Sequence, residues 1–339
     1  MIRIQATEIA EATGAELVHE GARDIAGDAV IDSRQAKEGT IFVAFAGEKV
    51  DGNAYLAAAA KTGAAAVVAS AEVAPDALAA CAAAGASVLR AKDDDCEAFL
   101  LALAAEQRRR HPEWLVVGVT GSVGKTTTKD MLRAGFGACR RTHATAGNLN
   151  NLIGMPLTLL AAPEDSEVVV CELGMNHPGE ISRLAGACSP ALACVTTIGT
   201  SHIGILGSRE NIARAKAEVC AQMRDSGAGA GDIARTLVMP SACDLTPYIA
   251  DGFARPAGVA VELVGTREGD AVRACDVRLD EEGLPSFTVS CADGWSREVT
   301  LNLPGRKVVD DFLIALALIW RAGADRDAAT DAIERMEHT

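Results

Sequence analysis

Residues 114–132 read WLVVGVTGSVGKTTTKDML, an apolar run followed by a glycine-bordered turn and a helical stretch. The run Leu115–Val119 is almost continuously apolar, as expected of a parallel strand covered on both faces. The turn that follows frees backbone N–H groups at the start of a helix, where the helix dipole favours an anion. This strand–turn–helix order predicts a phosphate-binding loop.

Lys125 is expected to reach the β- and γ-phosphates of a nucleotide, and the hydroxyl of Thr126 or Thr127 to hold Mg²⁺. The usual eight-residue loop has glycine where this chain has Val119, so the match is to the shorter pattern GxxGKTT. The alternative is a glycine-rich β–α turn without a ligand. The residues expected to surround the phosphates are Gly121, Ser122, Val123, Gly124, Lys125, Thr126 and Thr127.

Two further candidates follow predicted strands. Glu172 comes directly after Val168–Cys171, and His202 comes after Leu192–Ile198. Ligands of open α/β sheets bind at the carboxyl ends of the strands, so both side chains are expected at that edge. There the carboxylate suits Mg²⁺. The alternatives are a capping or ion-paired glutamate and a histidine that only makes structural hydrogen bonds.

Lys216 lies on an apolar stripe of the predicted helix Arg209–Met223. Ile212, Lys216, Val219 and Met223 share one face of that helix. A desolvated lysine has a lowered pKa, and its neutral amine can add CO₂ to become a carbamate, a carboxylate-like metal ligand. The alternative is a lysine whose ammonium group extends from the edge of the stripe into water.

Strand and helix patterns alternate along the whole chain. They predict an α/β protein with a small N-terminal α/β domain, residues 1–94, and a central domain, residues 95–339. The central domain is expected to be a doubly wound, mostly parallel sheet that carries the phosphate loop and an added β segment after residue 257.

Composition excludes several classes of protein. The net charge of −14 argues against a sequence-independent nucleic-acid binder, and 49% apolar residues argue against disorder. No uncharged apolar stretch approaches the length of a membrane span, and the N-terminus does not read as a signal peptide. The ten cysteines form no CxxC pair and are expected to be free thiols in a reducing compartment. These features predict a cytoplasmic protein.

Together the motifs resemble the Mur ligase family, most closely the type that joins D-alanyl-D-alanine to UDP-N-acetylmuramoyl-tripeptide. The resemblance rests on long segments in the family's order. They are IDSRQAKEGTIFVAFAGEKVDGN at 31–53, GVTGSVGKTTTKDML at 118–132, TAGNLNNLIGMPLTLL at 145–160, CELGMNHPGEI at 171–181 and TTIGTSHIGILGSRENIARAKAEV at 196–219.

The resemblance implies an ATP-dependent ligase of peptidoglycan precursor synthesis. ATP would phosphorylate the terminal carboxylate of the muramoyl peptide, and the amine of D-Ala-D-Ala would attack the acyl phosphate. Thr126 and Glu172 would bind one Mg²⁺, and His202 with a carbamylated Lys216 would bind a second. By the same resemblance, the phosphate and peptide site would include Asn148 and Asn151, and the UDP-sugar site would include Ser33, Arg34, Asp51 and Gly52.

The chain also departs from the family. Asn53 stands where the family usually has histidine, and Pro240–Asp244 replaces a segment with asparagine and aspartate. The family run Gly-Arg-His-Asn-Val-x-Asn, part of the adenine-binding region, appears as Gly305-Arg306-Lys307-Val308-Val309-Asp310-Asp311. The family's C-terminal domain is expected to be absent or supplied elsewhere.

These departures leave two alternatives to the ligase. One is a nucleotide-binding relative without ligase activity of its own. The other is a ligase for a different carboxylate, such as a folate or a polyamino acid, and the resemblance of residues 31–53 to a UDP-binding segment argues against it.

Overall fold

The computed structural model describes residues 2–47 and 50–337. It divides into two compact units, one formed by Met1–His111 with Leu152–Glu164 and the other by Pro112–Asn151 with Asp165–Thr339. Among the described residues, no helix has the length and apolar character needed to cross a membrane.

Up to His111, short strands alternate with helices. In chain order they are β1 (Ile2–Ile4), α1 (Ala6–Thr13), β2 (Glu16–His19), β3 (Ile25–Gly27), β4 (Ala29–Val30), β5 (Ile41–Val43), α2 (Leu56–Thr62), β6 (Ala66–Ala69), α3 (Pro75–Ala83), β7 (Ser87–Arg90) and α4 (Cys96–Arg110).

The described residues of the first unit form a five-stranded sheet in the order β2-β7-β6-β5-β4. Its strands are parallel except β2, which runs antiparallel to β7. β1 and β3 form a separate antiparallel pair. Asp95 caps α4 by accepting a hydrogen bond from the Ala98 N–H at 2.9 Å.

The rest of the chain contains longer strands and helices. In chain order they are β8 (Leu115–Thr120), α5 (Lys125–Gly137), β9 (Thr142–Ala144), α6 (Gly154–Ala161), β10 (Val168–Glu172), α7 (Glu180–Cys188), β11 (Leu192–Val195), α8 (Ile203–Leu206), α9 (Arg209–Ala217), α10 (Val219–Gln222), β12 (Thr236–Pro240), α11 (Thr246–Ile249), β13 (Ala260–Gly265), β14 (Val272–Leu279), β15 (Pro285–Cys291), β16 (Ser296–Thr300), α12 (Lys307–Arg321) and α13 (Arg326–Glu334).

In the second unit, the described residues form a nine-stranded sheet in the order β16-β15-β14-β13-β12-β11-β8-β10-β9. In this order, every neighbouring pair from β14 through β8 to β9 is parallel. Strand β15 is antiparallel to both of its neighbours, β14 and β16. This confirms the predicted fold class, including the added β segment. The core is densely apolar, and α12 buries a continuous run from Phe312 to Ile319 within it.

The boundary between the units differs from the one predicted near residue 94. Helix α4 packs against α1 and α6, and its Leu100 and Leu103 are fully buried, so residues 95–111 belong to the first unit. Helix α6 also packs against β4 and joins the same unit, although it lies far along the chain. Periodicity identifies a helix but does not say which sheet it covers, which is why the predicted boundary differs from the division into compact units for these two helices.

Candidate active site

The predicted phosphate loop leaves the end of β8 and enters α5 with two glycines in conformations that other residues rarely adopt. Gly121 has φ 149° and Gly124 has φ 89°. A Cβ on Gly121 would lie 1.9 Å from Thr196 Oγ1, and a Cβ on Gly124 would lie 2.3 Å from Asp311 Oδ1. Both positions therefore require glycine, and the turn has the geometry of a phosphate cradle at the carboxyl end of the sheet.

The loop contains a hydroxyl that its described surroundings leave unused. Ser122 Oγ is buried and has no hydrogen-bond partner among the described residues. A buried hydroxyl without a partner is costly, and an oxygen anion in the turn would satisfy it. The backbone N–H of the same residue donates to the Thr197 carbonyl at 2.8 Å, which fixes the loop against the chain that follows β11.

Lys125, the first residue of α5, turns back over the loop. Its Nζ donates to the Gly121 carbonyl at 3.0 Å. Burial lowers the pKa of this lysine, and the nearby Glu172 carboxylate acts in the opposite direction. The side chain thus holds an ammonium group close to the place where an anion would be bound.

Glu172 is the last residue of β10, and its side chain joins two segments of the site. Its Oε2 accepts a hydrogen bond from Thr126 Oγ1 at 3.2 Å, and its Oε1 accepts one from Asn150 Nδ2 at 2.7 Å. The residue is only 1% exposed. A threonine hydroxyl and a carboxylate held together beside a phosphate loop are oxygen ligands of the kind that Mg²⁺ prefers.

Among the amides of residues 145–151, the one that contacts Glu172 is Asn150, which the sequence analysis did not select. Asn148 and Asn151 are exposed. Asn150 is also held by its main chain, because its carbonyl accepts from the Gly174 N–H at 2.7 Å. The buried Lys129 of α5 donates to the Gly147 carbonyl at 3.4 Å and so supports the same segment. The stretch was recognisable as polar, but an irregular loop has no period that tells which amide points inward.

Lys216 is buried in α9. The single helix predicted over Arg209–Met223 is divided into α9 and α10, and Met223 follows α10. Lys216 is 2% exposed, and Ile212, Val219 and Met223 are fully buried. Burial lowers its pKa to about 7, and the positive charge of Lys125 adds to this effect. Among the described residues, no acidic group raises its pKa against these two effects. Its neutral form is therefore well populated near neutral pH.

Among the described residues, no hydrogen bond or ion pair joins His202 to this group, although the neighbouring Ser201 donates to the Ser122 carbonyl of the loop at 3.3 Å, and the role of His202 stays a prediction. Strand β11 ends at Val195, three residues earlier than predicted, and His202 instead caps the short helix α8 with φ 65° and an exposed side chain. Within the described ranges, no three His, Cys, Asp or Glu side chains are grouped as metal ligands. The structure thus brings Lys125, Thr126 and Glu172 together, with Lys216 close enough to sense the charge of Lys125.

A cavity of about 430 Å³ opens beside the phosphate loop. Asp244 lies in it and forms a two-pronged ion pair with Arg209, at 2.7 and 2.8 Å, and Arg209 also donates to the Ile198 carbonyl at 2.9 Å. The two segments that depart from the family's sequence, Pro240–Asp244 and Lys307–Asp311, both contribute lining residues to this cavity. Its lining residues are Val123, Gly124, Thr196, Thr197, Ile198, Gly199, Arg209, Pro240, Ala242, Cys243, Asp244, Lys307, Asp310 and Asp311.

The first unit has a cavity of about 620 Å³ at the segment assigned to the UDP-sugar. Ser33, Arg34 and Gly52 line it, whereas Asp51 is used locally, because its Oδ1 accepts from the Asn53 N–H at 2.9 Å. Positions 48 and 49 of the same segment lie outside the described residues. The other lining residues are Ile31, Asp32, Phe42, Phe45, Gly47, Val50 and Tyr55.

Two charged residues of this cavity, Arg34 and Asp32, form an ion pair with each other. Arg34 donates to both oxygens of the Asp32 carboxylate, and these hydrogen bonds lower the pKa of Asp32 to about 2. Asn53, which replaces the family's usual histidine, has a structural role. Its Oδ1 accepts from the Ser70 N–H at 3.0 Å, and its Nδ2 donates to Asp51 Oδ1 at 2.8 Å.

Comparison with known proteins relates this sequence to a family of ligases. Residues 119–319 match the Mur ligase middle domain, and residues 27–108 match the Mur ligase family catalytic domain. The UDP-N-acetylmuramoyl-tripeptide--D-alanyl-D-alanine ligase of Bacillus subtilis is 39% identical over 196 residues, 58% of this chain and 41% of that protein. The enzyme of the same name from Mycobacterium tuberculosis is 32% identical over 98% of this chain and 66% of its own length.

Solved structures give the same result. MurF from Acinetobacter baumannii superposes with a TM-score of 0.85 at 26% identity, covering all of this chain and 69% of that one. MurF ligase from Thermotoga maritima, solved in complex with ADP, has the same fold at 23% identity, with a TM-score of 0.74 over 93% of this chain and 67% of that one. The chain thus spans at most about two thirds of the length of the curated relatives named above. On the match of its middle domain, the chain belongs to the Mur ligase family.

Proposed function

We propose that this chain carries out ATP-dependent ligation of D-alanyl-D-alanine to UDP-N-acetylmuramoyl-tripeptide. The observation that carries the proposal is the contact between Thr126 and Glu172 at the mouth of a glycine loop that also holds Lys125. The names of the relatives supply the substrates, because several curated relatives are ligases of this name.

The triphosphate is proposed to lie in the loop from Gly121 to Thr127. The backbone N–H groups and the unpartnered Ser122 hydroxyl would donate to its oxygens, and Lys125 would neutralise charge on the β- and γ-phosphates. The 430 Å³ cavity beside Gly124 is the proposed place for the base. Rate enhancement in such a site comes mainly from positioning and from neutralised charge.

The residues fit at least one Mg²⁺. Thr126 and Glu172 would hold it, and when bound it would neutralise charge on the transferred phosphoryl group. Asn150 orients the Glu172 carboxylate by its hydrogen bond to Oε1. A second Mg²⁺, with Lys216 and His202 as ligands, remains a prediction. Burial of Lys216 without a counter-charge supports it, whereas the exposed His202 lends no support of its own.

Lys216 is proposed to be carbamylated. Its neutral Nζ would attack the carbon of CO₂, and loss of one N–H proton would leave a carbamate with one negative charge. The modification replaces a buried cation by an anion next to Lys125, whose charge then favours it. Labelled bicarbonate with carbon NMR detects the carbamate carbon, and Lys216→Met gives the background signal.

The proposed reaction has two steps. An oxygen of the tripeptide's terminal carboxylate attacks the γ-phosphorus, and ADP leaves. The amine nitrogen of D-Ala-D-Ala then attacks the acyl carbon, phosphate leaves with the carboxylate's oxygen, and the nitrogen loses a proton. The cavity lined by Ser33, Arg34 and Gly52 is the proposed site for the UDP-sugar, with Phe42 and Tyr55 as apolar contacts.

The test is the release of ADP from ATP as each substrate is omitted in turn. The proposal predicts ADP release that requires both UDP-N-acetylmuramoyl-tripeptide and D-Ala-D-Ala. A second arm supplies the C-terminal third of a MurF relative as a separate polypeptide, because the relatives are longer than this chain. Equal ADP release without either acceptor, or none in both arms, would contradict the proposal.

One observation favours a second function, a nucleotide-binding protein without ligase activity of its own. The cavity beside the loop is lined by Lys307 and Asp311, where the family run has histidine and asparagine. Titration of Mg-ATP by calorimetry together with the ADP assay separates the two, since this alternative predicts nucleotide binding with no acceptor-dependent turnover.

A further inference from the structure

Asp311 presents a carboxylate to the phosphate loop from the second turn of α12. The residue is 8% exposed and lines the cavity beside the loop. Its Oδ1 accepts a hydrogen bond from Thr128 Oγ1 at 3.2 Å. The same oxygen lies 2.3 Å from the position that a Cβ on Gly124 would occupy, so the carboxylate rests directly on the loop's backbone.

No cation forms an ion pair with this carboxylate among the described residues. On its own helix, Lys307 is 92% exposed and is paired with Asp310 at 3.5 Å; the charge of Lys307 lowers the pKa of Asp311, and the charge of Asp310 opposes it. On α5, Thr128 offers a neutral hydroxyl, Lys125 donates to the Gly121 carbonyl and Lys129 pairs with Asp130. Across the cavity, Arg209 is occupied by Asp244.

Within the described residues, the other elements packed against α12 form no ion pair with Asp311, and Arg273 and Arg278 of β14 are not among the charges that act on it. Cys194 of β11 is fully buried, and burial, together with the charge of Asp311, raises the pKa of its thiol, which therefore stays neutral. Glu262 of β13 pairs with Arg321 at the far end of the helix. The acidic residues of α13 include Asp331 and Glu334, which pair with Arg297 of β16.

If Asp311 were ionised, it would be a buried negative charge with one hydrogen bond. It would also lie next to a loop that is proposed to bind an anion. Burying an unpaired carboxylate is costly, and a phosphate nearby adds repulsion. A protonated acid avoids both costs and keeps the Thr128 contact. In agreement, burial raises the pKa of Asp311 to about 7 even without a bound phosphate.

We propose that Asp311 occupies the nucleotide site as a neutral carboxylic acid, so that binding of a nucleoside diphosphate or triphosphate takes up one proton above neutral pH. The proposal rests on the proposed nucleotide site and deepens it. Asp311 acts as a positioning residue that contacts the loop, and its protonation couples nucleotide affinity to pH.

The experiment is calorimetric titration of Mg-ADP between pH 6 and pH 8.5, in pairs of buffers that differ in ionisation enthalpy. In the unmodified protein we expect uptake approaching one proton per ADP above pH 7, and a Kd that rises up to about tenfold per pH unit. Asp311→Asn, which has nearly the same shape and cannot ionise, should bind ADP with less proton uptake and a flatter profile. Asp76→Asn, which removes an exposed carboxylate of α3 that does not line this cavity, should keep the profile of the unmodified protein.

Comparison of the variants isolates Asp311, because Lys216 and the ADP phosphates titrate in all of them. Equal proton uptake and equal pH dependence in the unmodified protein and Asp311→Asn would overturn the proposal. If Asp311→Asn does not fold, absence of proton uptake by the unmodified protein above pH 7 overturns it without the variant. Absence of ADP binding at pH 6.5 in every protein would instead overturn the nucleotide site itself.

Discussion

The hydroxyl of Thr126 donates to Glu172 Oε2 at 3.2 Å, although the two residues are 46 positions apart. Thr126 lies in the first turn of α5, and Glu172 lies at the end of β10. Because β8 and β10 pair in parallel, both residues lie at the same edge of the sheet. This contact joins the phosphate loop to the acidic side of the site, and the proposed chemistry depends on it.

Glu172→Gln should lower ligation by roughly 100-fold, because the amide keeps the shape of the side chain but removes the charge that holds Mg²⁺. The apparent Mg²⁺ requirement should rise in parallel. Both are read from initial rates over a range of Mg²⁺ concentrations. Glu167→Gln, at the residue just before the start of the same strand, is the control and should leave the Mg²⁺ requirement unchanged. An identical effect of the two substitutions would refute the role of Glu172.

Asn150→Ala should reduce activity more than Asn148→Ala. Asn150 donates to Glu172 and Asn148 is exposed, and loss of a hydrogen bond to a charged group costs about 1.5–3 kcal/mol, or roughly tenfold to a hundredfold in rate. Steady-state kinetics of the two variants side by side provide the comparison. The assignment of Asn150 fails if Asn148→Ala is the more damaging change.

Gly121→Ala should abolish measurable nucleotide binding or weaken it at least about tenfold, since the new methyl group would collide with Thr196 at a strained φ. The matched control is Gly137→Ala at the exposed end of α5, where a Cβ meets nothing within 4 Å. That control should keep nucleotide affinity and raise the free energy of unfolding by up to about 1 kcal/mol. Calorimetry with Mg-ADP and thermal unfolding give both readouts.

Lys216→Met should stabilise the protein in CO₂-free buffer while abolishing ligation. Burial holds the folded pKa at about 7 against an ordinary value of 10.5, so between these values the unfolded chain binds more protons than the folded one. Stability of the unmodified protein therefore rises with pH across that window. The advantage of Lys216→Met should be largest below pH 7, on the order of 5 °C in Tm, and should shrink toward pH 10.

The control is Lys61→Met, which removes an exposed lysine of α2 and should shift Tm little at any pH. An advantage of Lys216→Met that does not change with pH would show that packing, and not the charge of the amine, is responsible.

Local sequence patterns were sufficient to predict the parts of the site that lie within one strand, turn or helix. The loop at Gly121–Thr127 follows from the strand and helix on either side of it, and the spacing of Ile212 and Lys216 places the lysine on an apolar stripe. Both are properties of neighbouring residues in the chain. The structure adds that Lys216 is buried on this stripe and lies close enough to Lys125 to sense its charge.

Tertiary packing decided the rest. Strand β11 ends at Val195, the Thr196 hydroxyl and the Thr197 carbonyl hydrogen-bond to the phosphate loop, and His202 lies at the exposed start of α8. The choice of Asn150 over Asn148 depends on where β10 places Glu172. None of these contacts has a signature in the spacing of residues along the sequence.

Transfer of oxygen-18 tests the central claim most directly. UDP-N-acetylmuramoyl-tripeptide labelled in its terminal carboxylate is incubated with ATP, Mg²⁺, D-Ala-D-Ala and the protein, and the inorganic phosphate is analysed by mass spectrometry. An acyl phosphate formed at this site predicts one labelled oxygen in each phosphate released. Unlabelled phosphate, or ADP formed equally well without the labelled substrate, would contradict the account.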